Sequence, residues 1–433
     1  MITTNNDLLS NTVLGIDAWL ESMRQTGGYG GPVAHRWQDN LLYAGPGIDW
    51  RYEGIIIGYL NLFKKTGDRQ WLDKAIRAGM DIVNGQNEDG TYLASSFEIN
   101  PLSGGTPHEA ACDHALLCLA DVLKTLGESE WEKFVETAQD NLTKYHLNQL
   151  WDDDAGYFYN QTHDSSFVPN KVATTVEALF LLEKFSGDLG LVDKYIKPSL
   201  LKILACQVKD PESSYFGAID QSDKNGQLSG RYFPYYIARC VHALVDASVY
   251  FEDDQFTKAA LAAMNFVMHS QRSDGSFPQV VYANRRETLY PQWIAGVGDI
   301  LTAANRLLPY GLNWLAMEKT EIWLHNGISP SGGIRTGHGF GILEGRRNAL
   351  PDFRDILPVC HWVSNAFRYF TLCLPEKFIT GSIETKETTC DCFYFGKRAR
   401  FHETDQFIEV IQNLETVYLW RKSEPWVQKF LMY

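Results

Sequence analysis

Four titratable side chains fall within two helical turns in the stretch Thr106–Lys124: His108, Glu109, Asp113 and His114. The run that carries them has apolar residues at Ala111, Ala115, Leu116, Leu119, Val122 and Leu123, the spacing of a helix with one apolar face. Asp113 is one residue from the Cys112/Leu116 face, which predicts a side chain pointing inward or sideways rather than freely into water. A carboxyl in that position can keep its proton toward neutral pH by burial, or because Glu109 sits one turn earlier. Such a group can deliver a proton to a reacting bond. Asp113 is therefore the candidate general acid, with His114 beside it and His108 as a substrate contact. The alternative is a carboxyl that only bonds within a polar helix start.

Asp49 and Glu53 form a matching pair at the start of an earlier helix. Asp49 suits capping, because a carboxylate at a helix start accepts from free N–H groups. Glu53 is a catalytic candidate, and Asp220, in a loop, is a further possible base. The Gly-rich stretch 332–357 gathers Arg335, His338, Arg346, Arg347, Arg354 and Asp355. Paired guanidinium groups suit a carboxylate, sulfate or phosphate on a ligand. Salt bridging with Glu344, Asp352 and Asp355 is the competing reading. Trp50, Tyr232, Tyr235, Trp293, Trp362 and His361 stand at or near predicted helix starts, as a cavity lining would.

These residues recur at a fixed interval. Helix pairs are predicted at Glu53–Lys65 with Gln70–Asn84, Ala110–Leu126 with Glu130–Leu147, and Val172–Phe185 with Leu191–Cys206. Tyr235–Phe251 with Gln255–His269, and Gln292–Leu307 with Asn313–Leu324, follow. Asp7–Arg24 and Cys360–Leu372 are left to pair with each other. The repeat is about 60 residues, the mark of a repeat architecture. Six hairpins predict a closed double ring of helices, an (α/α)6 toroid. Inner helices should be apolar on nearly all sides and outer ones amphipathic. The tail changes character: Phe378–Glu384, Asp391–Phe395, Phe407–Ile411 and Thr416–Arg421 alternate with the period of strands. The expected division is a toroid over 1–375 and a β-rich appendage over 376–433.

The chain has 433 residues and a net charge of −14, which argues against nucleic acid as the main partner. Eight cysteines over this length do not make a disulfide scaffold, and most fall in apolar helical runs. The start of the chain has no basic and apolar leader pattern, and no run is apolar enough to span a membrane. A cytoplasmic location is the default expectation.

The layout resembles the six-hairpin glycosidase superfamily, which includes unsaturated uronyl hydrolases and sugar epimerases. The resemblance rests on the hairpins, on Lys65-Thr66-Gly67-Asp68 before Trp71-Leu72, and on Leu150-Trp151-Asp152 followed by Gly156-Tyr157-Phe158. It implies acid–base chemistry on a carbohydrate without metal or other cofactor, and the Arg-rich 332–357 loop favours an anionic sugar such as one bearing a uronic acid. A second resemblance, to the terpene cyclases and prenyltransferases, rests on Gln86…Asp89-Gly90-Thr91-Tyr92 and Gln271…Asp274-Gly275-Ser276-Phe277. It would make Asp113 the acid of a class II cyclase, although the family's D-x-D-D motif is missing. A toroid that only binds a ligand or a partner protein is the non-enzymatic reading.

Overall fold

The computed structural model describes residues 6–34, 43–94, 107–187, 189–284, 286–343, 345, 350–359, 362–375, 386–424 and 427–430. The runs that alternate apolar and polar at helical spacing form the expected helices. These are α1 (Asn6–Ser22), α2 (Arg51–Thr66), α3 (Arg69–Asn84), α4 (Pro107–Leu126), α5 (Trp131–Asn141), α6 (Pro169–Ser186) and α7 (Lys197–Ala205). α8 (Pro234–Phe251), α9 (Asp254–His269), α10 (Val297–Leu307) and α11 (Glu318–His325) continue the series. The short α12 (Phe340–Leu343) and α13 (Phe353–Ile356) precede α14 (Val363–Cys373).

Helices α2, α4, α6, α8, α10 and α14 pack side by side in that order, and α14 returns to α2, closing the ring. Each has an outer partner, and α1 packs on α14, so the first and last helices make the sixth hairpin. The chain is an (α/α)6 toroid. Local chemistry turns each hairpin: Gly67 ends α2 with a left-handed backbone, and Asp68 caps α3 by accepting from the Gln70 N–H. The closing contact is tight. A side chain at Gly54 would collide with the Ser364 backbone, and one at Gly58 with the Phe367 ring. Glycine is needed there because the two backbones approach without room for a Cβ.

Several boundaries differ from the sequence reading. α10 begins at Val297 rather than Gln292, because Gln292–Trp293 pairs with Gly337–His338 in a two-residue ladder. α5 gives way at Leu142 to a wider π-helical turn, and a second such turn opens the stretch before α7. The tail forms an antiparallel five-stranded sheet: Thr388–Tyr394, Lys397–Glu403, Phe407–Gln412, Glu415–Arg421 and Val427–Phe430. Its second strand was not foreseen, because its outward positions are basic while Ala399 and Phe401 point inward. The Phe378–Glu384 run lies outside the described residues. The sheet docks on the flank of the ring, where Trp420 meets Trp19 of α1 edge-on and the Phe393 N–H donates to the Pro351 carbonyl.

Candidate functional site

The inner helices all run the same way, so their starts share one end of the ring. Trp50, one residue before α2, packs against Trp362 at 5.3 Å between ring centres, and Trp362 packs against Trp293 at 5.2 Å. Tyr235, in the first turn of α8, flanks Gly296 together with Trp362. Its buried hydroxyl has no hydrogen-bond partner among the described residues. Trp362 has φ +60°, a backbone that a bulky side chain adopts only when its surroundings enforce it. Here the surroundings are the two flanking indoles. Four of the aromatics named from the sequence thus form one wall at the helix starts.

One turn further in, charged groups meet on the axis. Arg239 of α8 donates from Nη2 to Glu53 Oε1 of α2 at 2.5 Å. These two helices stand three places apart in a ring of six, so this bond crosses the axis. Arg239 also lies 3.2 Å from Glu177 of α6 and donates from Nε to Thr174. Arg368 of α14 is 3.3 Å from the second oxygen of Glu53. His114 of α4 donates from Nδ1 to Glu53 Oε1 at 2.7 Å. Asn365 of α14 donates to Asp299 of α10 at 2.9 Å. Every inner helix contributes.

The cluster sets its own protonation. Burial alone would lift Glu53, but Arg239, Arg368 and His114 outweigh it and hold the carboxylate far below its usual range. Glu177 is raised by burial despite Arg239. Burial likewise pushes Asp299 up to about 6, with Arg239 and Arg368 pulling against it. Asp299 remains partly open to solvent. Burial would lower His114, yet the Cys118 sulfur and Glu53 raise it well above an ordinary histidine. His242, also on the axial row of α8, is driven well down by burial and by the nearby arginines. A carboxyl near 6 is an acid whose proton affinity suits transfer near neutral pH.

The residues singled out from the sequence divide among several places. Glu53 and His114 belong to the axial cluster. Asp113 is fully buried, one residue round the helix from His114, and accepts from the Tyr92 hydroxyl at 2.6 Å. Its other oxygen has no hydrogen-bond partner among the described residues, and burial raises its pKa well above normal. Asp220 accepts from the N–H groups of Ser222, Ser229 and Gly230 and so ties a loop together. Tyr232 packs against Tyr215 and Phe266, away from the Trp wall. Arg335 donates to the carbonyls of Asn326 and Gly327. Arg354 is buried and forks onto Asp352 at 2.7 and 3.1 Å, within the cap of α13. His338 is exposed in its ladder. These local ties do not converge on the axis. His361, Arg346, Arg347 and the side chain of His108 lie outside the described residues.

Sequence reasoning missed Glu177, Arg239, His242, Asp299, Asn365 and Arg368. It expected inner helices apolar nearly all round. A signal existed: Arg239 interrupts Tyr235–Val241 and Arg368 interrupts Ala366–Phe370, each a lone cation in an apolar inner helix. A buried guanidinium demands a partner, which only another helix could supply.

No family model matches the chain, and no curated protein matches it in sequence. Solved structures share its fold. A cellobiose 2-epimerase from Bacillus thermoamylovorans B4167 superposes with a TM-score of 0.62 at 11% identity, over 85% of this chain and 99% of its own. A possible member of the GH105 family from Klebsiella pneumoniae subsp. pneumoniae MGH 78578 gives 0.59 at 12%, over 86% and 92%. An unsaturated glucuronyl hydrolase specific for heparin gives 0.56 at 13%, over 84% and 97%. The likeness establishes the fold, a closed (α/α)6 toroid. It lends no support to the terpene-cyclase reading. Among the described residues no helix is long and apolar enough to cross a membrane.

Proposed function

We propose that this chain is a carbohydrate-active enzyme, a glycoside or unsaturated-uronate hydrolase or a sugar epimerase, working by proton transfer between side chains at the axial cluster. One observation carries the reading: titratable side chains from opposite sides of the ring meet beneath a wall of packed indoles. An aromatic wall suits the apolar face of a sugar ring. Asp299 is the proton-transferring carboxyl in this reading, since burial tunes it to about 6 while it stays partly open to solvent. Glu53 is too firmly ionised to carry a proton and instead orients His114 and the two arginines. Asp113 holds its proton behind Tyr92 and supports the wall of the site from α4. Arg239 and Arg368 replace the 332–357 loop as the cations that face a substrate carboxylate.

The test is a thermal-shift panel followed by product analysis. One arm holds uronate-containing and neutral oligosaccharides; the other holds polyprenyl alcohols and diphosphates in detergent. A ligand of the folded state raises the melting temperature by mass action. A sugar that shifts the melt, is turned over by wild type and survives Asp299→Asn untouched supports the reading. A shift with isoprenoids alone overturns it. If Asp299→Asn turns over sugar at the wild-type rate while Asp113→Asn is dead, the proton belongs to Asp113 instead.

A further inference from the structure

The axial row of α4 continues past His114 to Cys118, one turn deeper. The Cys118 sulfur lies 3.6 Å from His114 Nε2, while His114 Nδ1 donates to Glu53 at 2.7 Å. Glu53 is fixed as a carboxylate by two arginines, so the Nδ1–H tautomer is favoured and Nε2 is left to face the sulfur. A thiol, an imidazole against it, and a carboxylate orienting the imidazole is the arrangement that converts a thiol to thiolate. Cys118 is partly exposed, whereas Cys112, Cys206, Cys240 and Cys392 are buried. Nothing in the proposed sugar chemistry uses it.

We propose that Cys118 is a modification site, a thiol activated by His114 and Glu53 that takes small electrophiles and peroxides entering the ring. With hydrogen peroxide the thiolate attacks one oxygen, the O–O bond breaks, and the leaving hydroxide takes the proton of the His114 imidazolium to become water. Sulfur is oxidised to the sulfenic acid and the peroxide is reduced. The raised proton affinity of His114 supports this pairing. The charged groups facing it are Glu53 from α2, Glu177 from α6, Arg239 from α8 and Arg368 from α14; all are matched in ion pairs among themselves. Modification would place new bulk against His114, which already holds Glu53 in place.

The experiment is iodoacetamide alkylation of the intact chain with the modified peptides mapped by mass spectrometry. Cys373 and Cys390 are the internal references, since they too are partly exposed and burial raises both thiols. Cys118 should react at least about tenfold faster than either at pH 7, and its rate should hold a plateau on going down to about pH 6 while theirs fall. His114→Gln should remove the advantage, and brief hydrogen peroxide should block alkylation until a thiol reductant restores it. Cys118 reacting no faster than Cys390 in the folded wild type overturns the proposal, as does a wild-type rate that falls with pH in step with Cys390. The wild-type pH profile decides the matter even if His114→Gln does not fold. Failure here would leave the sugar panel untouched, because that panel reads Asp299.

Discussion

Asp299→Asn should make the protein more stable at alkaline pH and less active at every pH. The native carboxyl titrates near 6 where an ordinary aspartate titrates near 3.8. A rise of that size corresponds to about 3 kcal/mol of cost once both states are ionised. Because Asp299 is partly open to solvent, screening lowers the figure, and the expected gain lies between about 1 and 3 kcal/mol. The sign follows from which state loses its proton first. Below the unfolded value both states are protonated and the substitution changes nothing. Between the two values the unfolded chain ionises first, so wild-type stability falls as pH rises. Above 6 the cost is complete and constant. At pH 5 it should be about half the value at pH 8. An amide keeps the shape and can still accept from Asn365. The heat signal is small: at about 2.1 cal/mol/K per residue over 433 residues, 1 kcal/mol moves the midpoint by only about 1 °C. Urea unfolding at pH 5 and pH 8, on both proteins in one buffer series, is the better assay. A gap that does not grow with pH, or a variant less stable at pH 8, would refute the claim that this carboxyl is held under strain on the axis.

Glu53→Gln should act the other way, because it strands two arginines and His114 in the ring; a loss of about 3–5 kcal/mol is expected at pH 7. Glu53 is held below the ordinary glutamate value of 4.5, so its contribution is present above that pH and lost on acidification, and urea midpoints of the two proteins should converge there. Gly58→Ala should destabilise by about 1–3 kcal/mol despite the better helix propensity, since the new methyl meets the buried Phe367 ring at 2.3 Å; a rise in the urea midpoint would show that α14 has room to retreat. Tyr92→Phe removes the hydroxyl that donates to Asp113, at a cost of about 1–2 kcal/mol, and should raise the Asp113 pKa further in a carboxyl-carbon NMR titration.

The ring was legible because its signals are local. Each hairpin announces itself through an amphipathic run, a turn such as Thr66-Gly67-Asp68, and a second run, and these recur often enough to imply closure. The inward setting of Asp113 was legible for the same reason, since one helix period determines it. The ties of Arg354 to Asp352 are two residues apart and could be read as readily as an anion clamp. The axial cluster is different in kind. Glu53 and Arg239 are 186 positions apart, and only closure of six helices brings them into one ion pair. No window of sequence contains that contact, and each member read alone is an ordinary polar position on a helix.

That difference explains where a toroid can vary. Residues at i, i+4 and i+7 of each inner helix share its axial face, so one helix supplies one polar group per turn to the axis. On α4 this row is His114, Cys118 and Asp121; on α8 it is Tyr235, Arg239, His242 and Asp246. Six such rows stack rings of side chains, with aromatics at the mouth and charges beneath. The outer helices and the turn glycines hold the scaffold, so the axial residues can change with little penalty to the fold, provided their charges balance. In this chain the balance is incomplete. Among the described residues, Glu53 and Glu177 take Arg239, Glu53 also takes Arg368 and His114, and Asp299 is hydrogen-bonded by the Asn365 amide alone. A site that matched every carboxylate to a cation would be more stable and would have no group able to give up a proton near pH 6. In the proposed function, the under-compensated acid on the axis is the feature that would separate a reactive centre from a folded plug.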